Sequence, residues 1–145
     1  MTDRHKVLRL ECQGKLDDIR CTLRDLDRYL GTCAIPSEWA EDLNLVLAEV
    51  MTNIVRHGYP KEPGTIALQL LQTDHALECH IIDQGIAFDP SLLGQIAPDP
   101  SELNEGGYGW FIIRNLTRKV SYQHRNGQNI LCFTIPIDAS SRAPR

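Results

Sequence analysis

Two neighbouring stretches of the sequence alternate between apolar and polar residues with a period of two. They cover residues 65–73 and 75–83, and Asp74 stands between them. A period of two is typical of β-strands with one buried face, because successive side chains point to opposite sides of a strand. The pattern predicts an antiparallel hairpin, so any fold for this chain must contain a sheet with one covered face.

Three further segments extend that sheet. Residues 119–124 and 129–137 flank the pair Asn126-Gly127, which is a strong signal for a two-residue hairpin turn. Residues 5–11, near the N-terminus, alternate more loosely and predict one more strand. The sequence therefore predicts five strands, four of them in two hairpins.

Between the first strand and the first hairpin, apolar residues recur at three- and four-residue steps, which is the spacing of a helix with one buried face. The first predicted helix covers residues 16–30, and Gly31 is expected to end it. The second opens at Pro36 and stops at Gly58. At about 1.5 Å per residue, this second helix is about 30 Å long and lines one side of a small domain.

This order of elements predicts an α+β fold, a two-layer sandwich of a mostly antiparallel sheet with helices on one face. The chain has 145 residues, of which 42% are hydrophobic and 23% charged. Those values are typical of one soluble domain. We expect that domain to cover residues 1–138 and the small, polar residues 139–145 to form a disordered tail.

Composition excludes several functional classes. The net charge is −4 and no run of five Lys or Arg residues occurs, so nonspecific binding to nucleic acid is disfavoured. No apolar run approaches the roughly 20 residues of a membrane span, and the first ten residues are too charged for a secretory leader. Five cysteines without a C-x-x-C pair suit neither a zinc knuckle nor a complete set of disulfides. We expect a cytoplasmic protein with reduced thiols.

The long second helix carries a polar stripe on an otherwise apolar surface. Glu49, Asn53 and His57 follow one another at four-residue steps. A solvated face is the simpler interpretation, but Asn is a mediocre helix former and here has apolar neighbours. Its carbonyl oxygen is a hard ligand that suits Mg²⁺, and Glu49 could take a proton. His57, beside Gly58, is better explained by a favourable charge at the helix C-terminus.

A second polar feature follows the strand at 75–83. The Asp83 carboxylate emerges from the end of the strand, where it can accept a hydrogen bond from an exocyclic amine. Gly85, two residues later, allows a flat group to approach the backbone closely. The alternative interpretation is an Asx turn at the strand end with no binding role.

A third feature combines a long irregular segment with a cluster of glycines. Residues 84–107 show no strong periodicity and are rich in glycine and proline, which is typical of a functional lid or of a disordered segment. Gly106, Gly107 and Gly109 stand at the start of a short predicted helix over 108–117. Free backbone N–H groups at a helix N-terminus attract phosphate, although a flexible hinge would explain the same residues. The spacing matches neither a P-loop nor a dinucleotide fingerprint.

Three motifs thus follow one another, one on a helix, one after a strand and one before a helix: Glu49-x-x-x-Asn53, Asp83-x-Gly85 and Gly106-Gly107-x-Gly109. Their combination resembles the GHKL nucleotide-binding family shared by histidine kinases, gyrase B, Hsp90 and MutL. The short single-domain form and the runs at 53–59 and 83–90 are similar to the bacterial anti-sigma-factor serine kinases. The resemblance covers residues 5–137, nearly the whole chain.

The resemblance implies the GHKL fold, also called the Bergerat fold, with ATP held between the long helix, the sheet and the lid. In that arrangement Asp83 reads the adenine amine, Gly85 gives the base room and Asn53 coordinates Mg²⁺. Gly107 and Gly109 contact the phosphates. The implied cofactors are therefore ATP and Mg²⁺.

The same resemblance implies that Glu49 is a general base, drawing the proton from a serine or threonine hydroxyl of a STAS-domain anti-sigma antagonist. A sigma factor is the other implied partner, and a homodimer is the implied assembly, with no direct contact to nucleic acid or membrane. Two alternatives stay open. The segment 83–109 contains no Lys or Arg, which favours a nucleotide-responsive binding module with little transfer activity. An isolated histidine-kinase-type ATPase domain is the other.

Overall fold

A computed structural model describes residues 6–33, 35–87, 113 and 115–137 of the chain. Within these residues two helices and five strands follow one another in the predicted order. Their bounds are β1 Lys6–Gln13, α1 Leu16–Thr32, α2 Ser37–Asn53, β2 Thr65–Gln72, β3 Ala76–Asp83, β4 Arg118–Arg125 and β5 Gln128–Pro136. A single π-helical turn, Ile54–Gly58, continues α2 directly.

The five strands form one antiparallel sheet in the order β1-β2-β3-β5-β4. The two predicted hairpins are β2–β3 and β4–β5, and the second one docks against the first through β5. This pairing places Asp83 opposite Asn129, although 46 residues of chain separate them. The predicted α+β fold class is confirmed.

One face of the sheet and the two helices share a hydrophobic core. Alternate residues of β2, β3 and β5 are buried, in the period-two pattern that the sequence shows. Helix α1 contributes Leu23, Leu26 and Leu30, one turn apart, and α2 contributes Leu43 and Leu47 in the same way. The helices lie on the sheet because both elements have an apolar face that only the other can cover.

The β4–β5 turn has the geometry that its sequence predicts. Asn126 and Gly127 have φ angles of 54° and 76°. Two successive residues with positive φ are the mark of a type I′ turn, whose twist matches that of the flanking strands. The turn sets the register that brings Tyr122, His124 and Asn129 together at one end of the sheet.

Helix ends differ in two places from the sequence prediction. Gly31 does not end α1, since the helix continues to Thr32 and Cys33 donates its N–H to the Leu30 carbonyl at 3.1 Å. Apolar spacing stops at Leu30, but the backbone completes the turn because nothing around Gly31 interrupts it. Helix α2 ends at Asn53, where the wider π turn replaces the predicted last α turn.

Some of the sequence predictions concern residues outside the described part of the chain. They include Gly107 and Gly109, most of the segment 84–107 and the tail 139–145. Ile113, Asn115 and Leu116, from the predicted helix 108–117, are helical. All five cysteines are described, and none of them forms a disulfide in the structure. No helix in the described part of the chain has the length and apolar character that crossing a bilayer requires.

Candidate functional site

The C-terminal end of α2 buries a polar side chain without satisfying it. Asn53 is 6% exposed, and its Nδ2 has no hydrogen-bond partner among the described residues. A buried amide donor without a partner costs about 1–3 kcal/mol, so native proteins rarely keep one without a reason. The orphaned amide of Asn53 is therefore a candidate ligand-binding group.

The predicted stripe on α2 is only partly kept. Glu49 lies one turn before Asn53 and is half-buried, while His57 is exposed. His57 follows in the π turn and is exposed, whereas Asn53 is buried, so the two side chains do not share one environment. His57 lies in the last helical turn, where a basic group is favourable.

The end of the π turn packs against the end of β3. The Ile86 N–H donates to the Gly58 carbonyl at 2.9 Å. A Cβ added at Gly85 would lie 2.5 Å from that carbonyl oxygen, closer than any side chain tolerates. Gly85 is therefore required by backbone packing, in addition to any room that it gives a ligand. The contact fixes the Asn53 helix against the Asp83 strand.

Asp83 ends β3 as a buried carboxylate, 6% exposed. Its Oδ1 accepts two hydrogen bonds, from the Gly85 N–H at 2.8 Å and from Asn129 Nδ2 at 2.9 Å. The first bond is the Asx turn of the alternative interpretation, and the second adds a partner that an Asx turn does not need. Burial raises the pKa of Asp83, while these two bonds and the nearby His124 oppose the rise.

Asn129 connects the carboxylate to the edge of the sheet. Its Nδ2 donates to Asp83 Oδ1 and to the Gly85 carbonyl, both at 2.9 Å. Its Oδ1 lies 2.7 Å from the Tyr122 hydroxyl, which donates, and 2.7 Å from His124 Nδ1. Two donors and two acceptors are all that a side-chain amide has, so the Asn129 amide is saturated.

Tyr59 holds the opposite side of the Asp83 segment. Its hydroxyl accepts the Gln84 N–H at 2.7 Å and donates to the Thr65 carbonyl at 2.9 Å. Burial raises the pKa of Tyr59, and the Asp83 carboxylate adds to the rise, so the phenol stays protonated and able to donate. This hydroxyl ties the start of β2 to the end of β3.

The Asn53 side chain is suited to bind Mg²⁺ if a bound nucleotide supplies further ligands. Within the described residues, no three His, Cys, Asp or Glu side chains form a group that could hold a metal ion. Mg²⁺ in nucleotide sites commonly takes one or two protein ligands and completes its shell with phosphate oxygens and water. The Asn53 carbonyl oxygen suits that role because it is a hard ligand, and the unpaired Nδ2 beside it can donate a hydrogen bond to a phosphate oxygen.

The structure therefore brings Asp83 and Gly85 directly against the end of the helix that carries Asn53 and Glu49. The roles assigned to these four residues, and to Gly107 and Gly109, stay predictions. Sequence reasoning did not single out Asn129, Tyr122, His124 or Tyr59. Asn129 had a detectable signal, since it occupies the inward phase of a strand whose other inward residues are apolar. The Tyr59 contacts had none, because the apolar and polar pattern around Tyr59 does not show that its hydroxyl reaches the Thr65 carbonyl and the Gln84 N–H.

Comparison with known proteins identifies the family. The model of the histidine kinase-like ATPase domain matches residues 12–135. The serine/threonine-protein kinase BtrW of Bordetella bronchiseptica is 33% identical over 120 residues, covering 78% of this chain and 84% of BtrW. The serine-protein kinase RsbW of Bacillus cereus is 32% identical over 140 residues, covering 90% of this chain and 86% of RsbW.

Two solved structures share the fold. A structure of RsbU and RsbW domains from Mycobacterium tuberculosis matches 90% of this chain and 32% of that one, with a TM-score of 0.65 at 16% identity. A chain of the SiaB-SiaC complex from Pseudomonas aeruginosa matches with a TM-score of 0.52 at 14% identity, covering 90% of this chain and 89% of that one. From its sequence relatives and its fold, the chain belongs to the histidine kinase-like ATPase domain family and, within it, to the group of these serine-protein kinases.

Proposed function

We propose that this protein is a cytoplasmic kinase that binds Mg-ATP, phosphorylates a serine or threonine of a STAS-domain anti-sigma antagonist, and sequesters a sigma factor. The observation that carries the proposal is the buried Asp83 carboxylate, held at the end of β3 against the helix that carries Asn53. Membership in a family of serine-protein kinases supports the reaction class.

The Asp83 carboxylate supports adenine as the base. Both hydrogen bonds that it accepts from described residues end on Oδ1, which leaves Oδ2 as an acceptor. An exocyclic amine donates to such an acceptor, whereas the carbonyl oxygen of a 6-oxopurine would be repelled by it. We assign Asp83 the recognition of the adenine amine, with Gly85 beside the base.

The α2 helix supplies the groups for phosphoryl transfer. Asn53 holds Mg²⁺, which neutralises phosphate charge, and Gly107 and Gly109 donate backbone N–H groups to the phosphates. Glu49, half-buried one turn before Asn53, accepts the proton of the attacking hydroxyl. This division places the base and the metal ligand on one rigid element.

The partners are proteins. The similarity to the serine-protein kinases RsbW and BtrW supports a protein as the substrate, and the resemblance of the motifs to anti-sigma-factor serine kinases supports a STAS-domain antagonist and a sigma factor as alternative partners. The SiaB-SiaC neighbour was solved as a complex of two proteins, which supports the use of this fold for protein partners. The proposal includes a homodimer and no direct contact with nucleic acid or membrane.

Transfer of label from γ-labelled ATP to the cognate antagonist tests the reaction. Wild-type protein should label the antagonist on serine or threonine, and Glu49→Ala should lower the rate by about 10²–10⁴-fold. Glu41→Ala is the matched control, because Glu41 is exposed on the same helix two turns earlier. Equal rates in the two variants would remove Glu49 from the reaction.

The segment 83–109 without Lys or Arg favours one second candidate, a nucleotide-responsive binding module with little transfer. Mg-ATP would then raise the melting temperature and alter partner binding, but no label would reach the antagonist. Absence of any stabilisation by Mg-ATP would contradict both candidates.

A further inference from the structure

Asn129 has its amide orientation fixed by chemistry. The Gly85 carbonyl can only accept a hydrogen bond, and it lies 2.9 Å from one end of the amide. That end must therefore be the nitrogen, which places the second N–H on Asp83 Oδ1 at 2.9 Å. A rotated amide would set the Asn129 oxygen against the oxygens of both Asp83 and Gly85.

The opposite end of the amide is fixed in turn. Because Asn129 Oδ1 is an acceptor, the Tyr122 hydroxyl and His124 Nδ1, both at 2.7 Å, must each present a hydrogen to it. Two donors from the edge strand β4 thus hold the amide from outside the core. The chain of contacts runs from the exposed His124 through the buried Asn129 to the buried Asp83.

Packing alone does not require this arrangement. The three other inward pairs of β3 and β5 are apolar, and they are buried to the same degree as Asp83 and Asn129. An apolar pair would fill the same position without the cost of burying a carboxylate. The polar pair therefore needs a reason other than stability.

We propose that Asn129 is a positioning residue that makes the site selective for 6-aminopurine nucleotides over 6-oxopurine nucleotides. By occupying Asp83 Oδ1 together with the Gly85 N–H, it holds the carboxylate so that Oδ2 has no hydrogen-bond partner among the described residues. An amine finds an acceptor there, and a 6-oxo group meets a second acceptor. The inference rests on the proposed nucleotide function and adds to it a residue that acts through Asp83.

The test compares ATP with inosine triphosphate, which differs at the 6-position of the purine. Calorimetric titration of the full chain with each Mg-nucleotide gives the ratio of dissociation constants. Asn129→Asp keeps the side-chain shape but replaces the donating nitrogen by a carboxylate oxygen facing Asp83. We expect the preference for ATP to fall by about tenfold or more, because a charge-assisted hydrogen bond is lost. Gln128→Glu is the matched control, since it makes the same chemical change on the outward face.

The pH dependence of the ATP preference provides a second test, because a purely structural role of Asn129 would not make that preference depend on pH. Once protonated, the introduced carboxyl group can donate to Asp83 again, so the ATP preference of Asn129→Asp should partly recover as the pH falls. If Asn129→Asp does not fold, Tyr122→Phe combined with His124→Ala removes the outer donors and keeps Asn129. In that variant the preference for ATP over inosine triphosphate should also fall, by about a few-fold.

The outcomes separate the two levels of the proposal. A wild-type chain that binds neither nucleotide would overturn the proposed function together with this inference. A wild-type chain that prefers ATP, with the preference unchanged in Asn129→Asp and in the double variant, would overturn the inference alone. If Asn129→Asp lowered the affinity for both nucleotides by the same factor, Asn129 would have a structural role and no role in selectivity.

Discussion

The paired strands β3 and β5 have an apolar end and a polar end on the same buried face. At the apolar end, Leu77 faces Ile135 and Cys79 faces Phe133, while at the polar end Asp83 faces Asn129. All these side chains are at most 6% exposed. The two ends therefore differ in chemistry and not in burial.

The apolar and polar ends of the β3–β5 pair make different contributions to the protein. At the apolar end, burial itself is favourable, since each apolar side chain leaves water. At the polar end, burial is unfavourable unless polar atoms are paired, and the Asn129 amide is paired by four hydrogen bonds, one of them to Asp83 Oδ1. One end stabilises the fold, and the other holds a carboxylate in a defined position.

The largest effect is expected at the apolar end. Phe133→Ala removes a 1% exposed ring from the centre of the core and should lower the free energy of unfolding by about 3–5 kcal/mol. Denaturant unfolding measures the loss. Thr134→Ala, on the outward face of the same strand, is the matched control and should stay within about 0.5 kcal/mol of wild type. Similar losses in both variants would mean that the two faces are equally packed.

A substitution at the polar end should change ligand choice more than stability. Asp83→Asn retains an oxygen for the Gly85 and Asn129 donors, but places a donor where the carboxylate had a free acceptor. Affinity for ATP should fall by about tenfold or more, and affinity for inosine triphosphate should rise relative to it. Titration of both nucleotides measures the change. An unchanged ratio would remove Asp83 from base recognition.

The same variant predicts a pH dependence of stability. Burial raises the pKa of Asp83 above its ordinary value of 3.8, so the folded state binds more protons than the unfolded state just above that pH. This carboxyl group therefore makes wild-type protein less stable as the pH rises from about its unfolded pKa through its raised folded pKa. Asp83→Asn lacks this loss, so the stability difference between the proteins should shift in favour of the variant. Denaturation curves at several pH values measure it, and a parallel profile would contradict it.

The junction between the helix end and the polar strand end should tolerate no added methyl group. A Cβ at Gly85 would lie 2.5 Å from the Gly58 carbonyl oxygen, so Gly85→Ala should cost about 1–3 kcal/mol of folding free energy. Gly31→Ala is the control, because nothing lies within 4 Å of its Cβ position and Ala favours helix. Thermal unfolding should show opposite shifts for the two variants. A neutral Gly85→Ala would mean that the π turn moves freely.

The smallest loss of stability in the free chain is expected at Asn53. Asn53→Leu removes an amide nitrogen that has no partner among the described residues, so stability without ligand should be retained or should rise. Asn129→Leu should cost more, because Asp83, Tyr122 and the Gly85 carbonyl each lose the hydrogen bond that they share with Asn129. Stabilisation by Mg-ATP should disappear in Asn53→Leu, and a thermal shift assay measures both quantities. A large loss of stability without ligand would show that Asn53 serves the fold.

Much of the fold was predictable because its signals are local. Period-two alternation gave the hairpin strands, three- and four-residue spacing gave both helices, and Asn126-Gly127 gave the β4–β5 turn. Helix ends were less predictable, as Gly31 and the π turn after Asn53 show. A few backbone hydrogen bonds decide where a helix ends, and residue type influences them only weakly.

The candidate site was also predictable only where its signals are local. The motif residues Glu49, Asn53, Asp83 and Gly85 were identifiable from their spacing and from their resemblance to a family. Asn129 could have been noticed as a polar residue in an inward position, but its partner could not have been named. Pairing of β3 with β5 is a contact between distant parts of the chain, and local pattern does not specify it.

By itself the sequence determined the strands and helices of this protein, the apolar face of each, and the residue types available for the proposed binding of ATP. These follow from hydrophobic periodicity and turn chemistry, which act within a few residues. Only the tertiary structure decided that Gly85 meets Gly58, that Asn129 donates a hydrogen bond to one oxygen of Asp83, and that Asn53 Nδ2 is left without a partner among the described residues. Burial and hydrogen-bond satisfaction depend on which distant segments pack together, and that is settled only when the sheet and the helices close around one core.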